Sequence, residues 1–112
     1  AKPGNTTAML EAEAKKLFEM YGAKSAFLGY RPSRSMSAYP AYVCISVNDE
    51  IVHGLPGKRL IQPGDIVSVD VGVRYRGFVG DAAATYVVKG ASAKAKKISY
   101  VAYQALHNTW QE

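Results

Sequence analysis

The chain has 112 residues with 48% hydrophobic content, enough for one folded domain with its own core. Its net charge of +5 comes from basic residues that are spread along the chain, without a long basic run or an aromatic-and-basic nucleic-acid motif, so the charge predicts solvated faces. The single cysteine, Cys44, excludes an internal disulfide, and no stretch resembles a signal peptide or a membrane span, so we expect a cytoplasmic protein.

The first predicted element is an amphipathic helix that begins at Thr6 or Thr7 and runs to about Tyr21. Either threonine is a suitable N-cap, and Gly22 supplies a C-terminal stop. Apolar residues recur at helical spacing and predict the face that packs on the core: Leu10, Ala14, Leu17, Phe18 and Tyr21.

Short strands are predicted after a long loop. Residues 23–40 are rich in glycine, proline and serine, which indicates irregular structure. Residues 42–47 predict a strand, and residues 51–53 predict a second strand that pairs back across a turn. His53 would then end a strand. Its position alone leaves open whether it is catalytic, exposed, or a hydrogen-bonded core residue.

The clearest pattern is a β-hairpin from Asp65 to Thr85, with its turn in residues 74–77. Alternate valines share one face of the first strand, and Asp70 lies on the other. If the turn centres between residues 75 and 76, Asp70 and Asp81 face each other directly.

Two opposed carboxylates lie about 4.5–5.5 Å apart at their Cβ atoms and repel each other unless a cation lies between them. A pair of divalent ions about 3.5–4 Å apart would remove the conflict. His53, Asp70 and Asp81 are residue types that bind metal or transfer protons, and we expect all of them on one sheet. The alternative is that the two aspartates flank a turn and are simply solvated.

A second amphipathic helix is predicted to begin after Ser92, its N-cap, and to pack on the sheet. Its apolar stripe consists of residues at helical spacing: Ile98, Val101, Ala102, Ala105, Leu106 and Thr109. Together these elements predict an α/β (α+β) fold, in which two helices pack on an antiparallel sheet with a central hairpin.

Two segments, YPAYVCISVNDEIVHGLP from Tyr39 and GDIVSVDVGVRYRGFVGDAAATYVV from Gly64, closely resemble the type I methionine aminopeptidases. The resemblance covers nearly the whole chain. It implies that residues 1–112 form a single domain, the N-terminal half of a pita-bread catalytic domain. It also implies a metal-dependent aminopeptidase that removes N-terminal methionine from nascent proteins or peptides by hydrolysis with metal-activated water.

The same resemblance implies a role for individual residues. Asp70 and Asp81 match the family's metal-binding aspartates and would hold two divalent ions, with Mn, Co, Fe and Zn all plausible. His53 matches the catalytic histidine that contacts the substrate near the scissile peptide bond. The pocket for the substrate methionine is matched at three positions: Tyr30, Tyr39 and Cys44. For the cysteine alone, burial as a small hydrophobic residue is the simpler interpretation.

This chain departs from the family pattern in two respects. The segment between Gly29 and Pro40 is several residues longer than the family's link, which leaves the effect of the loop Arg31–Ser37 on the methionine pocket open. The family's other metal ligands, a histidine and two glutamates, and a second catalytic histidine belong to the other half. Because two aspartates cannot complete the coordination of two ions, we expect the chain to need a missing second half or a homodimer partner.

Two further interpretations remain open. The chain is either a non-catalytic pita-bread-like binding module for RNA, a ribosome or a protein partner, or a truncated or engineered half-domain without activity. The +5 charge keeps a weak RNA contact open as an alternative to solvated faces, whereas the presence of both aspartates favours the enzyme. No membrane partner is expected.

Overall fold

A four-stranded antiparallel sheet with two helices makes up the fold. The computed structural model describes residues 1–110. Its elements are, in chain order, α1 (Thr7–Met20), β1 (Lys24–Ser25), β2 (Cys44–Val47), β3 (Ile66–Tyr75), β4 (Phe78–Val87) and α2 (Ala93–Thr109). The predicted fold class is therefore confirmed, although the two-residue strand β1 had no sequence signal.

Strand β3 organises the sheet. One edge of β3 pairs with β4 along its full length, and the other edge pairs with β2 and β1, which lie end to end. Because side chains alternate between the faces of a strand, the valines of β3 share one face and Asp70 lies on the opposite face, as predicted.

The valine face of β3 forms the core together with α1 and β2. The cluster consists of buried apolar side chains: Phe18, Val43, Ile45, Val47, Ile61, Val67 and Val88. Leu10 and Ala14 pack against its edge. The core face of α1 is narrower than predicted, since Leu17 and Tyr21 are 52% and 68% exposed.

The N-cap of α1 is Thr6, whose Oγ1 accepts a hydrogen bond from the Met9 N–H at 3.2 Å. Thr7 is buried instead, and its hydroxyl both donates to and accepts from the backbone of Gly57. The helix ends at Met20, and Gly22 follows with a φ of +61°, a left-handed conformation that glycine adopts without steric cost.

The turn of the β3–β4 hairpin lies one residue later than predicted. Tyr75 pairs with Phe78, so Arg76 and Gly77 are the central turn residues, with φ of +48° and +88°. Two positive φ angles are what a two-residue type I′ turn requires, and glycine fits the second position.

The new register corrects the prediction that the two aspartates are directly opposed. Asp70 pairs with Ala83, and Asp81 pairs with Gly72. Each observed pairing partner is two positions away from the predicted one, and a shift by two keeps each side chain on the predicted face of the sheet. Asp70 and Asp81 are therefore diagonal neighbours on one face of the sheet, within reach of each other's side chains.

The predicted strand at residues 51–53 is wrong, and His53 lies in a loop. Ile51 is 90% exposed, and the segment meets β2 where the Ile45 N–H donates to the Gly54 carbonyl at 2.9 Å. The Gly54 N–H donates to the Ser46 hydroxyl rather than to a backbone carbonyl. Because that donor is used by a side chain, no ladder of backbone bonds continues along the edge of β2.

Helix α2 begins after Ser92, whose hydroxyl accepts from the Ala95 N–H, as predicted. It contacts β4, but none of its residues is buried, and Ile98 and Val101 are 57% and 54% exposed. Its predicted packing on the sheet is thus only partial. Within residues 1–110, neither helix has the length and apolar character needed to cross a membrane.

Candidate active site

A pocket of about 360 Å³ gathers the residues that the sequence singled out. Its lining includes all of them: Tyr30, Tyr39, Cys44, His53, Asp70 and Asp81. It also includes side chains that sequence reasoning missed: Phe27, Pro32, Met36 and Ser37. A larger groove lies between α1 and β3 on the other face of the sheet, but it is lined by apolar residues and two tyrosines and brings no carboxylate or histidine together.

The strand register explains how the floor of the pocket forms. Cys44 on β2 pairs with Asp70 on β3, which in turn pairs with Ala83 on β4. Asp81 lies two positions from Ala83, so it projects from the same face. The small side chain of Ala83 leaves space beside the carboxylates. A thiol and two carboxylates therefore share one face.

Asp70 is in an unfavourable environment when no cation is present. Its Oδ1 atom is buried and has no hydrogen-bond partner. Burial raises the pKa of Asp70, the nearby carboxylate of Asp81 raises it further, and nearby His53 opposes the rise. A divalent cation would give the orphaned oxygen a partner and offset the repulsion. The two carboxylates thus fit the role of metal ligands.

On their own, the two aspartates would supply only part of a site for two metal ions. Across residues 1–110, no group of three or more histidine, cysteine, aspartate or glutamate side chains lies close enough to hold a metal ion. Two ions with four to six ligands each need further donors. Some ligands must come from outside the described part of the chain if two ions are bound.

His53 is held in a strained conformation at the edge of the pocket. Its φ is +59°, which is uncommon for a residue with a side chain. The next residue, Gly54, is fixed on β2 because its carbonyl accepts from the Ile45 N–H and the Tyr39 hydroxyl, and its N–H donates to Ser46. A Cβ on Gly54 would collide with the Ile45 carbonyl. The close approach of Gly54 therefore sets the position of His53.

Tyr39 and Cys44 form a neutral wall of the pocket. The Tyr39 hydroxyl lies 3.2 Å from the carbonyl oxygens of both Val43 and Gly54. Burial raises the pKa of Tyr39, and the neighbouring Cys44 thiol adds to the rise. Burial also raises the pKa of Cys44, although the neighbouring Tyr39 hydroxyl opposes this. Both groups stay protonated at neutral pH, which suits an uncharged ligand side chain.

Phe27 is the most prominent lining residue that the sequence did not reveal. The Ser25 hydroxyl accepts from the Phe27 N–H at 3.0 Å and turns the chain after β1. The Phe27 ring then packs over Gly72 and meets Tyr39 edge-to-face, with ring centroids 6.4 Å apart. The available signal was Gly72 itself, because glycine inside a strand often marks a close approach.

Comparison with known proteins identifies the family of this fold and site. The model of metallopeptidase family M24 matches residues 1–112. The chain belongs to metallopeptidase family M24. It is 49% identical over 108 residues to the methionine aminopeptidase of Aquifex aeolicus, with 96% of this chain and 42% of that protein covered. It is 39% identical over 111 residues to methionine aminopeptidase 1 of Bacillus subtilis, with 99% and 42% covered.

Solved structures of methionine aminopeptidases share this fold. The methionine aminopeptidase of Thermotoga maritima aligns with a TM-score of 0.87 and 40% identity, covering 95% of this chain and 41% of that one. The enzyme of Rickettsia prowazekii aligns with a TM-score of 0.86 and 31% identity, covering 95% and 40%. The resemblance to methionine aminopeptidases and the pita-bread fold is confirmed. The chain spans about 42% of the length of the sequence relatives.

Proposed function

We propose that this chain is the N-terminal part of a metal-dependent aminopeptidase that removes methionine from the start of nascent proteins or peptides. The observation that carries the proposal is the pair Asp70 and Asp81 on the floor of a pocket, with Asp70 Oδ1 buried and unpartnered. The names of the relatives support the reaction, since both sequence relatives above are methionine aminopeptidases.

Each side chain of the pocket has a role in this proposal. Asp70 and Asp81 would hold two divalent ions, with Mn, Co, Fe and Zn all compatible with carboxylate ligands. When bound, such ions polarise the scissile carbonyl and activate water. His53 contacts the substrate near the scissile bond and stabilises the reacting carbonyl oxygen. The methionine side chain of the substrate would occupy the pocket and contact the wall formed by Tyr30, Tyr39 and Cys44.

The chemistry of that wall suits a thioether. Aromatic faces and a protonated thiol are polarisable and carry no charge, so they pack favourably against the sulfur and methylenes of methionine. Tyrosine and cysteine are already mostly protonated at neutral pH, and burial raises the pKa of both Tyr39 and Cys44 further. An anionic side chain would lose its hydration there without gaining a cationic partner from the lining residues.

The remaining metal ligands are part of the proposal. They would come from a further segment of a longer protein, or from a second copy of this chain related by a twofold axis. The coverage of the relatives supports the first source, since 42% of their length is matched. The proposed location is the cytoplasm, where proteins are synthesised and where the unpaired Cys44 stays reduced.

Calorimetric titration of Mn²⁺ or Co²⁺, run beside sedimentation at the same concentration, tests the metal site. Binding with a doubled mass indicates a composite site made by two copies. A monomer that binds no metal indicates that the ligands must come from a longer chain, and the titration is then repeated on the natural full-length protein. Absence of binding there would contradict the proposal.

Hydrolysis of a methionyl tripeptide by the natural full-length protein tests the activity. Asp81→Asn should lower metal affinity at least about 100-fold and abolish turnover, because even indirect supports of metal ligands cost up to that much. Asp49→Asn is the control, since Asp49 is an exposed carboxylate in the turn after β2. Full activity of Asp81→Asn would refute the proposed role.

A further inference from the structure

The loop between Tyr30 and Tyr39 is fixed at its base. The Tyr39 N–H donates to the Tyr30 carbonyl and the Gly29 N–H donates to the Tyr39 carbonyl, both at 2.8 Å. The Tyr30 N–H donates to the Phe27 carbonyl at 2.9 Å. The Tyr39 hydroxyl adds the bond to Gly54. Both ends of the loop are therefore attached to the same residues that form the pocket.

Within the loop, a turn brings the chain back over the pocket. The Met36 N–H donates to the Ser33 carbonyl at 3.2 Å, and the hydroxyls of Ser33 and Ser35 lie 2.9 Å apart. Pro32, Met36 and Ser37 then join the pocket lining. Met36 is 54% exposed, so part of this large apolar side chain faces the pocket and part faces water.

The charged and uncharged side chains of the loop lie in different places relative to the pocket. The loop residues that line the pocket, Pro32, Met36 and Ser37, are uncharged, whereas both arginines of the loop lie outside the lining. The segregation is what a binding wall for an uncharged side chain requires.

We propose that the loop Arg31–Ser37 is a wall of the substrate pocket and that Met36 determines which first side chain the pocket accepts. The inference rests on the proposed function for the identity of the occupant, the uncharged first side chain of a peptide. The thioether of Met36 is unbranched and adaptable. In this proposal it forms the side of the pocket that contacts a linear methionine, and its volume there disfavours a larger ring.

Methyl NMR of the natural full-length protein with ¹³C-labelled methionine tests the contact directly. L-methioninamide is the ligand, and Met9 and Met20 on α1 are internal controls away from the pocket. The Met36 methyl resonance should shift on titration while those of Met9 and Met20 stay in place. A Met36 resonance that does not move up to millimolar ligand would overturn the inference.

Substitutions separate the inference from the proposed function. In Met36→Ala, the ratio of kcat/KM for a methionyl peptide to that for a phenylalanyl peptide should fall about tenfold, the low end expected when a few atoms leave an apolar pocket wall. Met36→Leu keeps the volume, and Arg34→Ala changes the same loop outside the pocket, so both should keep the ratio.

The outcomes are distinguishable. If the unmodified protein cleaves no methionyl peptide, the proposed function fails, and the Met36 methyl shift with methioninamide still decides whether the loop contacts an uncharged side chain. If the protein is active and Met36→Ala leaves the ratio unchanged, the inference fails and the proposed function stands.

Discussion

The ring of Phe27 lies so close to Gly72 that a Cβ on Gly72 would come within 2.5 Å of Phe27 Cε1. Gly72 is directly opposite Asp81 in the hairpin and two positions from Asp70. The contact therefore links the aromatic wall of the pocket to β3, the strand that carries Asp70 and pairs with Asp81 on β4.

Gly72→Ala should displace the Phe27 ring and lower the free energy of unfolding by about 1–3 kcal/mol, the usual cost of inserting a group into a packed site. Urea denaturation measures the loss. The matched control is Gly80→Ala on the neighbouring strand, where a Cβ would meet nothing within 4 Å. Equal losses in both variants would show that the cost arises from the strand backbone and not from Phe27.

Tyr39→Phe removes a hydroxyl that bonds to the carbonyls of Val43 and Gly54. We expect a loss of about 1 kcal/mol in stability, typical of one hydrogen bond. In the proposed activity, kcat should fall more than KM changes, because Gly54 is less firmly held and His53 follows it. Kinetics and the His53 ring resonances measure this. Tyr30→Phe is the control, since Tyr30 lines the same pocket but is 57% exposed. A matching change in Tyr30→Phe would refute the positioning role.

Asp70 makes the stability of the metal-free protein depend on pH. Since burial and Asp81 raise the pKa of Asp70 in the folded state, its contribution to stability is fully present at low pH and is lost as pH rises through the raised pKa. Asp70→Asn cannot ionise. With a chelator present, its urea midpoint should exceed that of the unmodified protein at pH 7, and the gap should close towards about pH 4. A constant gap would contradict this.

Cys44 should react slowly with iodoacetamide. It is 4% exposed, and burial raises the pKa of its thiol, so little of the reactive thiolate is present at pH 8. Mass spectrometry should show alkylation more than about tenfold slower in the folded protein than in urea. Similar rates in the two states would mean that the thiol is accessible in the pocket.

The sequence predicted the face of the two aspartates but not their register. Strand periodicity assigns Asp70 to the face opposite the valines whatever the turn does. The register depends on which residues adopt positive φ, and Arg76 with Gly77 formed the turn one position later than the spacing suggested. A shift by two in the pairing keeps the face, so the aspartates remained neighbours although direct opposition was wrong.

Other parts of the site depend on contacts between distant segments. His53 was expected on a strand, but Gly54 is bound to Ser46 and Tyr39, and these side-chain bonds have no local sequence signal. Phe27 and Met36 reach the pocket because loops fold over the sheet. No periodicity in the sequence marks such residues.

Asp70 lies between Val69 and Val71, and both valines pack against the core on the far side of β3. A smaller side chain at either valine would leave a cavity, and partial relaxation into it would shift the strand, since a close-packed interior transmits strain. The distance between the two carboxylates therefore depends on how well the core behind β3 is packed. Resistance to unfolding and the proposed affinity for cations would then both depend on β3, and a substitution chosen to alter the first should be assayed for the second.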